Sequence, residues 1–228
     1  MWPAWLACLM LIRDATPADM PQVGDIRAAA YHAGGFLSTD SGYAPHLRGL
    51  GSDGQGEVLV AVEPRAAPES RPRPALEAET ALEAETALAT ETALATETAP
   101  DDGRSGRTAD RILGTVMLQP WPQAGPVVTG PDEAEIRALA VLPEMQGAGV
   151  GRALLRAVIE RATRNAVRHL VLCTQPEMES AQRLYKEAGF SRLPGRDWSP
   201  APGMLLLAYG LPLPARATTR LPPPATTS

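Results

Sequence analysis

The sequence of 228 residues has few of the side chains that build metal sites, disulfide frameworks and aromatic cores. Its two cysteines, Cys8 and Cys173, form no C-x-x-C motif, and the three histidines do not cluster. The sequence therefore indicates neither a zinc site nor a disulfide scaffold, and we expect a reduced, cytoplasmic protein without a bound metal. Aromatic residues make up only 4% of a chain that is 44% hydrophobic, so we expect a mainly aliphatic core.

An excess of positive charge is also lacking, since the formal net charge is −5. Six glutamates lie in one repetitive segment, namely Glu77, Glu79, Glu83, Glu85, Glu91 and Glu97. Without those six negative charges the net charge of the chain would be +1. The remainder is close to neutral, which gives no support to a nucleic-acid partner.

A hydrophobic segment long enough to span a membrane is missing as well. Residues 1–12 are apolar, but they have no basic start and are too short to cross a bilayer. We therefore expect no membrane partner and predict an N-terminal extension over residues 1–8, followed by a first core strand at residues 9–13. The Pro/Thr-rich residues 212–228 are predicted to form a disordered tail.

Four tandem hexads, ALEAET twice and ALATET twice, occupy residues 75–98. A period of six residues does not match the helical period of 3.6, so the leucines of the hexads form no continuous apolar stripe. We predict that residues 65–110 are a solvated, low-complexity inserted loop. It would replace a tight turn between strands at residues 58–62 and 111–118. A partner-docking arm is the alternative interpretation of this segment.

Periodicity and turn signals predict the other elements of the chain. They are helices at 17–31 and 45–50, a strand at 133–142, a helix from about 150, a strand at 169–174, a helix from about 181 that ends at Gly189, and a strand at 204–209. In the strand at 133–142, simple alternation places Glu135, Arg137, Leu139 and Val141 on one face.

Residues 139–155 run from an apolar strand through a glycine-rich turn into an amphipathic helix. Gly147, Gly149 and Gly151 lie at the start of that helix. Glycines permit close approach of a ligand, and the unpaired N–H groups of the first turn favour an anion such as a phosphate. The spacing matches neither a Walker A loop nor a dinucleotide fingerprint, and on glycine spacing alone an ordinary strand-to-helix turn is an equal alternative.

The same stretch reads Gln146-x-x-Gly149-x-Gly151 and follows the strand EIRALAVLP at residues 135–143. It resembles the acyl-CoA pyrophosphate loop, Q/R-x-x-G-x-G/A, of the GNAT superfamily of N-acyltransferases. Residues 181–190, AQRLYKEAGF, resemble the A-x-x-L-Y-x-x-x-G-F helix of the same family. The order and separation of the two motifs make the resemblance fairly specific, and it extends over residues 9–211.

The resemblance implies an α/β fold: a GNAT-like central mixed β-sheet of six to seven strands, with helices on both faces and splayed central parallel strands. It implies an acyl-CoA-dependent N-acetyltransferase that uses acetyl-CoA as co-substrate and a primary amine of a small molecule or peptide as acceptor. A non-catalytic acyl-CoA-binding or protein-interaction module with this fold is the alternative. Whether the protein forms a homodimer is left open.

The resemblance also implies a set of cofactor-binding residues, in which the pyrophosphate lies on the glycine loop and the pantetheine lies along the strand before it. The set comprises Leu139, Ala140, Val141, Gln146, Gly147, Ala148, Gly149, Val150, Gly151, Arg152 and Ser180. Many family members have an asparagine where this chain has Met178, so we expect that contact to be lost or made by Ser180.

Two residues are candidates for proton transfer. Glu135 lies eleven residues before Gln146, where histone-acetyltransferase members of the family carry a general base, and a water could extend its reach. Its alternative role is a structural ion pair with Arg137. Tyr185 occupies the position of the family's tyrosine, which we expect to act as general acid. A core aromatic residue is the alternative for it.

The acceptor pocket is the least determined part of the sequence. Tyr31, Trp121 and Trp198 lie in or beside the segments that differ most among family members, and they could form its wall. Each could equally anchor a surface loop. Since a fold does not specify a substrate, the sequence leaves the acceptor unidentified.

Overall fold

The computed structural model describes residues 10–36, 43–63, 110–201 and 203–214. The chain divides into a unit of residues 1–64 and 110–228 and a unit of residues 65–109, and only the first contains described residues. Most of the predicted inserted loop and tail, and the whole N-terminal extension, thus lie outside the described part.

Eight strands and four α-helices make up the described residues. In chain order they are β1 (Leu11–Asp14), α1 (Met20–Ala33), α2 (Tyr43–Gly49), β2 (Glu57–Val62), β3 (Ile112–Pro120), β4 (Glu133–Val141), α3 (Val150–Arg164), β5 (His169–Thr174), α4 (Glu179–Glu187), β6 (Ser191–Arg192), β7 (Trp198–Ala201) and β8 (Met204–Pro212). None of these helices is both long enough and apolar enough to cross a bilayer. The predicted mixed α/β fold is confirmed, with eight strands in the described residues where six or seven were expected, because the short strands β6 and β7 were not predicted.

The strands form a sheet in the order β1-β2-β3-β4-β5-β8-β6, and β7 pairs with β8. All neighbours are antiparallel except β4 and β5. This parallel pairing joins Glu133 to His169 at one end and stops at Ile136 and Leu172. Beyond that point the two central strands separate, as expected for the splayed pair.

A β-bulge interrupts β4 at the start of the separated part. Thr115 of β3 pairs with Ala140, whereas Met117 pairs with Arg137, so β4 has one residue more than β3 between these pairs. Ala138 lies in this bulge with a φ of 50°, in the left-handed region. The extra residue moves the following side chains to the opposite face of the sheet.

The bulge makes the predicted alternation of β4 wrong beyond Arg137. Ile136 packs with α3 and α4, and two positions later Ala138 packs with α1 on the other face. Leu139 and Val141 accordingly join the α3 side, away from Glu135. A bulge at an alanine has no signature in the sequence, since alanine rarely adopts a positive φ.

Two mainly aliphatic clusters cover the faces of the sheet. In the first cluster, helix α3 contributes Val150, Leu154, Leu155 and Val158, which are all almost completely buried. Their spacing of three and four residues is that of one helix face, and each such side chain contributes roughly 1.5–3 kcal/mol through burial. The second cluster packs α1 and α2 against β2, β3 and the bulged part of β4. The described core is thus aliphatic for the most part, as the composition predicts.

The start of α1 follows the predicted capping signal with one difference. Pro17–Asp19 forms a 3-10 turn, and α1 itself begins at Met20 and continues to Ala33. The Asp19 carboxylate accepts 2.7 Å hydrogen bonds from the backbone N–H and the hydroxyl of Thr16, and it forms a 2.7 Å ion pair with Arg13 of β1. The hydrogen bond from Arg13 is the main reason why the pKa of Asp19 falls to about 2. These contacts fix α1 relative to the first strand.

Candidate active site

A cavity of about 560 Å³ lies where β4 and β5 separate. It is lined by residues of α1 and its C-terminal end, the bulged half of β4, the glycine loop, the end of β5 and α4. Because it passes through the sheet between the two strands, one cavity reaches both α1 and the start of α3.

The glycine loop forms one end of this cavity. Gly147 and Gly149 have φ values of 80° and 87°, where a side chain would cost roughly 1–2 kcal/mol. Gly149 is the N-cap of α3, and no side chain of the described residues caps this helix start with a hydrogen bond. Gly147, Gly149 and Gly151 all line the cavity. A helix start with uncapped N–H groups facing a cavity is suited to bind a phosphate.

The remaining residues of the predicted cofactor set fall into two groups. Six line the cavity, namely Leu139, Ala140, Val141, Gln146, Arg152 and Ser180, and Met178, which stands in place of the family's asparagine, lines it as well. Ala148 and Val150 instead pack in the hydrophobic core, where only their backbone is left to face a ligand. Arg152 is exposed and pairs with Glu187 of α4 at 2.6 Å, which links the helix start to the opposite wall.

The edge of β4 offers backbone groups to the cavity. Ala140 and Val141 pair with β3 on one side, while the β5 side has no partner strand beyond Ile136. The bulge at Ala138 lies in this unpaired stretch, and Ala138 to Val141 all line the cavity. Unpaired strand groups can form hydrogen bonds with an extended ligand, as an added strand would.

Thr174, at the end of β5, is a cavity residue that sequence reasoning missed. It is 3% exposed, and within the described part of the chain its hydroxyl has no hydrogen-bond partner. An unpartnered hydroxyl in a buried position is costly unless a ligand or water satisfies it. A threonine that ends a strand has no distinctive pattern, so only the splay of β4 and β5 reveals this group.

Tyr185 of α4 lines the same cavity and is 7% exposed. Its ring packs against Phe190 and Tyr209, with ring centroids 6.0 and 6.4 Å apart. Burial raises the pKa of Tyr185 well above its ordinary value, and the nearby Tyr31 raises this pKa further. The phenol therefore keeps its proton at neutral pH and is available as a donor.

Glu135 lies in the paired half of β4 and is 6% exposed. Its Oε2 accepts a 2.8 Å hydrogen bond from the backbone N–H of Gly125, and the Nε of Arg137 lies 3.8 Å away. Burial raises the pKa of Glu135, while the charge of Arg137 and the Gly125 N–H oppose the increase. Its side chain is not among those that line the cavity, so a bridging water is needed for proton transfer from a ligand there.

The three aromatic residues considered for the acceptor pocket lie in different places. Tyr31 lines the cavity, and burial raises its pKa to about 12. Trp121 follows β3 and is 46% exposed. Trp198 begins β7 beside Cys173, whose thiol pKa burial raises to about 11. The cavity thus brings Tyr31 and Tyr185 together, but neither tryptophan is among its lining residues.

Metal-ligating side chains do not cluster at this site. Across residues 10–36, 43–63, 110–201 and 203–214, no group of three or more His, Cys, Asp or Glu residues is placed to hold a metal ion. The polar side chains that line the cavity are instead hydroxyls, one amide, one thiol, two arginines and one carboxylate, namely those of Tyr31, Thr174, Ser180, Tyr185, Gln146, Cys173, Arg152, Arg183 and Glu187.

The splayed mixed sheet and the glycine-rich helix start together define an α/β protein of the acyltransferase class. The chain belongs to the acetyltransferase (GNAT) family, whose model matches residues 61–190. The resemblance of the two sequence motifs is therefore confirmed. GNAT proteins use acetyl-CoA, and the loop, the strand edge and the cavity fit this cofactor.

Two curated relatives match part of the chain. The mycothiol acetyltransferase of Kocuria rhizophila is 34% identical over 83 residues, which are 36% of this chain and 26% of that protein. The mycothiol acetyltransferase of Geodermatophilus obscurus is 32% identical over 85 residues, which are again 36% of this chain and 26% of that protein. The chain thus spans about a quarter of the length of the curated relatives it matches.

Solved structures support the fold over a longer range. An N-acetyltransferase from Kribbella flavida has 21% identity and a TM-score of 0.55, covering 90% of this chain and 98% of that one. A protein from Salmonella typhimurium, solved with its cofactor acetyl-CoA, has 18% identity and a TM-score of 0.52. The match covers 92% of this chain and 96% of that one. At these identities the similarity concerns the fold alone.

Proposed function

We propose that residues 9–211 form a cytoplasmic N-acetyltransferase domain that transfers the acetyl group of acetyl-CoA to a primary amine of a small molecule or peptide. The observation that supports this best is the single cavity that joins the uncapped start of α3 to the phenol of Tyr185 and to Tyr31 of α1. A donor that enters at Gly149 and an acceptor that enters beside α1 would meet between the separated strands.

Cofactor binding follows from the glycine loop and the unpaired strand. The first-turn N–H groups after Gly149 favour the pyrophosphate, because the helix dipole and the free donors both attract an anion. The strand edge at residues 139–141 would pair with the pantetheine amides, and the hydroxyl of Thr174, which has no partner among the described residues, lies on the opposite side. When bound, acetyl-CoA supplies an acetyl group activated as a thioester.

Backbone N–H groups of the same strand edge are suited to polarise the thioester carbonyl. Negative charge develops on that oxygen as the amine attacks the carbon directly, and a fixed N–H donor stabilises it. The bulge at Ala138 makes this stretch irregular where it lines the cavity. In other enzymes, removal of one such donor costs about 2.7–4 kcal/mol.

Two proton transfers complete the reaction. The acceptor is protonated in water and has to lose a proton before attack, and the buried Glu135 with its raised pKa is our candidate base, acting through a water. The departing thiolate has a basicity close to that of cysteine, at a pKa of about 8.5, and is stabilised by protonation. Tyr185 is our candidate acid because it is protonated at neutral pH and lines the cavity.

Thiol release from acetyl-CoA tests the proposal. We would measure free CoA with a panel of primary amines and confirm each acetylated product by mass spectrometry, with calorimetric acetyl-CoA binding in parallel. Release of one thiol for each acetylated amine is the expected result. Tight acetyl-CoA binding without acetylation of any amine would support the alternative of a non-catalytic acyl-CoA-binding module.

A further inference from the structure

Helix α1 ends in a turn that brings a second aromatic residue to the cavity. Gly34 is the C-cap of α1, and Gly35 follows with a φ of 71°, in the left-handed region. The N–H of Gly35 donates a 3.0 Å hydrogen bond to the carbonyl of His32. The N–H of Phe36 donates a second one, of 2.9 Å, to the carbonyl of Tyr31. These are the two hydrogen bonds of a Schellman motif, and they hold Phe36 against the last turn of the helix.

The ring of Phe36 lies over Gly34. A Cβ at position 34 would overlap atoms of this ring, so a glycine is what allows the ring to occupy this place. Tyr31, Gly34 and Phe36 all line the cavity, and both aromatic side chains are half-buried. The two glycines that end α1 thus place an aromatic ring on each side of the helix end, facing the cavity.

The charged side chains of the cavity lining lie away from this helix end. Among the described residues that line the cavity, the charged ones are Arg152, Arg183 and Glu187, which all belong to α3 or α4. The lining on the α1 side has no charged member. It is made of five residues that we call the α1 wall, namely Ala30, Tyr31, Gly34, Phe36 and, from the bulge of β4, Ala138.

The α1 wall is backed by the hydrophobic core. Ala30, Tyr31 and Ala138 pack against the second cluster, which joins α1 and α2 to the sheet. Burial raises the pKa of Tyr31 to about 12, so its phenol is neutral. A charged group of a ligand would lose water at this wall without gaining an ion pair, whereas an apolar group would be stabilised by burial.

We propose that the α1 wall binds an aromatic ring of the acceptor, so that the acceptor is a primary amine with a ring a short chain away from its nitrogen. This inference rests on the proposed acetyl transfer, in which the acceptor enters beside α1, and it specifies the substrate class. The ring packs against Tyr31 and Phe36, and the amine points towards the separated strands. An aromatic ring is favoured because offset and edge-to-face contacts with the two side chains add to the effect of burial.

Matched amines test this preference. We would compare kcat/KM for phenethylamine with that for ethylamine, which lacks the ring, for cadaverine, which has a second cation, and for phenylalanine, which adds a carboxylate. Free-base amine concentrations would be equalised. We expect phenethylamine to exceed each of the others by about tenfold or more, because burial of a ring is favourable and an unpaired charge is not. Equal values for phenethylamine and ethylamine, or a preference for cadaverine or phenylalanine, would overturn the inference.

Substitution of Phe36 locates the preference. Phe36→Ala should lower kcat/KM for phenethylamine by about tenfold and change that for ethylamine by less than about twofold. Phe36→Tyr keeps a ring and should restore most of the loss. The control is Leu205→Ala, which removes an exposed apolar side chain of β8 that is not among the lining residues. A purely structural Phe36 would instead lower the values for both amines equally.

A binding measurement separates this inference from the proposed function. Calorimetry with N-acetylphenethylamine and with N-acetylethylamine requires no turnover. Wild-type protein should bind the amide with the ring at least about tenfold more tightly, and Phe36→Ala should lose most of this difference. Failure of all amines to release thiol would reject the proposed function. Equal binding of the two amides would reject the role of the α1 wall.

Discussion

Gly125 donates its backbone N–H to Oε2 of Glu135 across 2.8 Å, so the loop between β3 and β4 fixes the orientation of a buried carboxylate. A Cβ at position 125 would lie only 2.8 Å from the same oxygen, which is why a glycine fits this contact. The carboxylate is thereby held on the face of β4 opposite that of Ile136, which packs on the α3 side of the sheet.

From this arrangement we predict the pH dependence of the reaction. Burial raises the pKa of Glu135 above its ordinary value of 4.5, so the wild-type kcat/KM should fall as the pH is lowered through that raised pKa. Glu135→Gln should lower kcat by roughly 10²–10⁴-fold and remove this acidic limb. Initial rates between pH 5 and pH 9 measure both effects. The control is Glu144→Gln, which removes an exposed carboxylate that pairs with Arg111. If kcat/KM of Glu135→Gln still falls at low pH as it does in wild type, Glu135 is not the base.

A second prediction concerns the phenol of Tyr185. Tyr185→Phe keeps the ring contacts with Phe190 and Tyr209 but removes the donor, so kcat should fall by about 10- to 100-fold while acetyl-CoA affinity changes by less than about twofold. The matched control is Tyr209→Phe, because that hydroxyl is hydrogen-bonded to Gln182 and its residue does not line the cavity. Equal losses of kcat and of affinity would indicate a packing role instead.

The sequence predicted the lining of the cavity at the glycine loop better than its lining at α1 and the end of β5. The glycine spacing and the helix motif are local patterns whose chemistry depends on neighbouring residues, so the positions of Gly149 and Tyr185 followed from the chain alone. The bulge at Ala138 and the hydroxyl of Thr174, unpartnered within the described part of the chain, depend on how β4 and β5 separate, which is a tertiary property.

The strands β6 and β7 were also missed for a physical reason. β6 has two residues, and β7 contains a proline and a serine, so neither has the run of alternating apolar residues that indicates a strand. Both are held by pairing with the long strand β8. The Asp197 carboxylate reinforces that pairing through hydrogen bonds from Arg192 and from the backbone N–H of Ala208.

The third prediction tests the glycine loop. Gly147→Ala adds a methyl group to open space, but at a φ of 80° it costs roughly 1–2 kcal/mol of backbone strain. We expect acetyl-CoA affinity to fall by about fivefold or more as the loop adjusts. Gly130→Ala is the matched control because its Cβ also meets open space and its backbone is not left-handed. Calorimetry measures acetyl-CoA binding to both variants. If Gly147→Ala binds acetyl-CoA as tightly as Gly130→Ala does, the loop does not contact the cofactor.

The fourth prediction concerns the inserted loop. The strands at its two ends are already joined, since the N–H of Glu63 donates a 3.0 Å hydrogen bond to the carbonyl of Arg111, and their side chains pair at 3.3 Å. Deletion of residues 66–108, with a short Gly/Asn turn in their place, should therefore leave the unfolding temperature and the thiol-release rate nearly unchanged. Circular dichroism and the activity assay check this. An unfolded or inactive protein would show that the segment contributes to the fold or the site.

A final prediction follows from Glu133, where β4 and β5 begin. Its carboxylate accepts hydrogen bonds from Thr129, His169 and Arg196 at 2.7–2.9 Å. Burial would raise the pKa of Glu133, but these hydrogen bonds more than compensate and lower it from 4.5 to about 2.

Because the folded pKa is below the unfolded one, Glu133 stabilises the protein at pH values above 4.5, and this stabilisation is lost as the pH falls towards 2. Glu133→Gln should therefore cost on the order of 3 kcal/mol at pH 7, and its difference from wild type should shrink steadily between pH 5 and pH 2. Urea unfolding at several pH values measures this difference. Glu160→Gln, which removes an exposed i,i+4 pair with Arg156, should change the free energy of unfolding by less than about 1 kcal/mol at any pH. A constant difference for Glu133→Gln across this range would show that its hydrogen bonds do not depend on the ionised carboxylate.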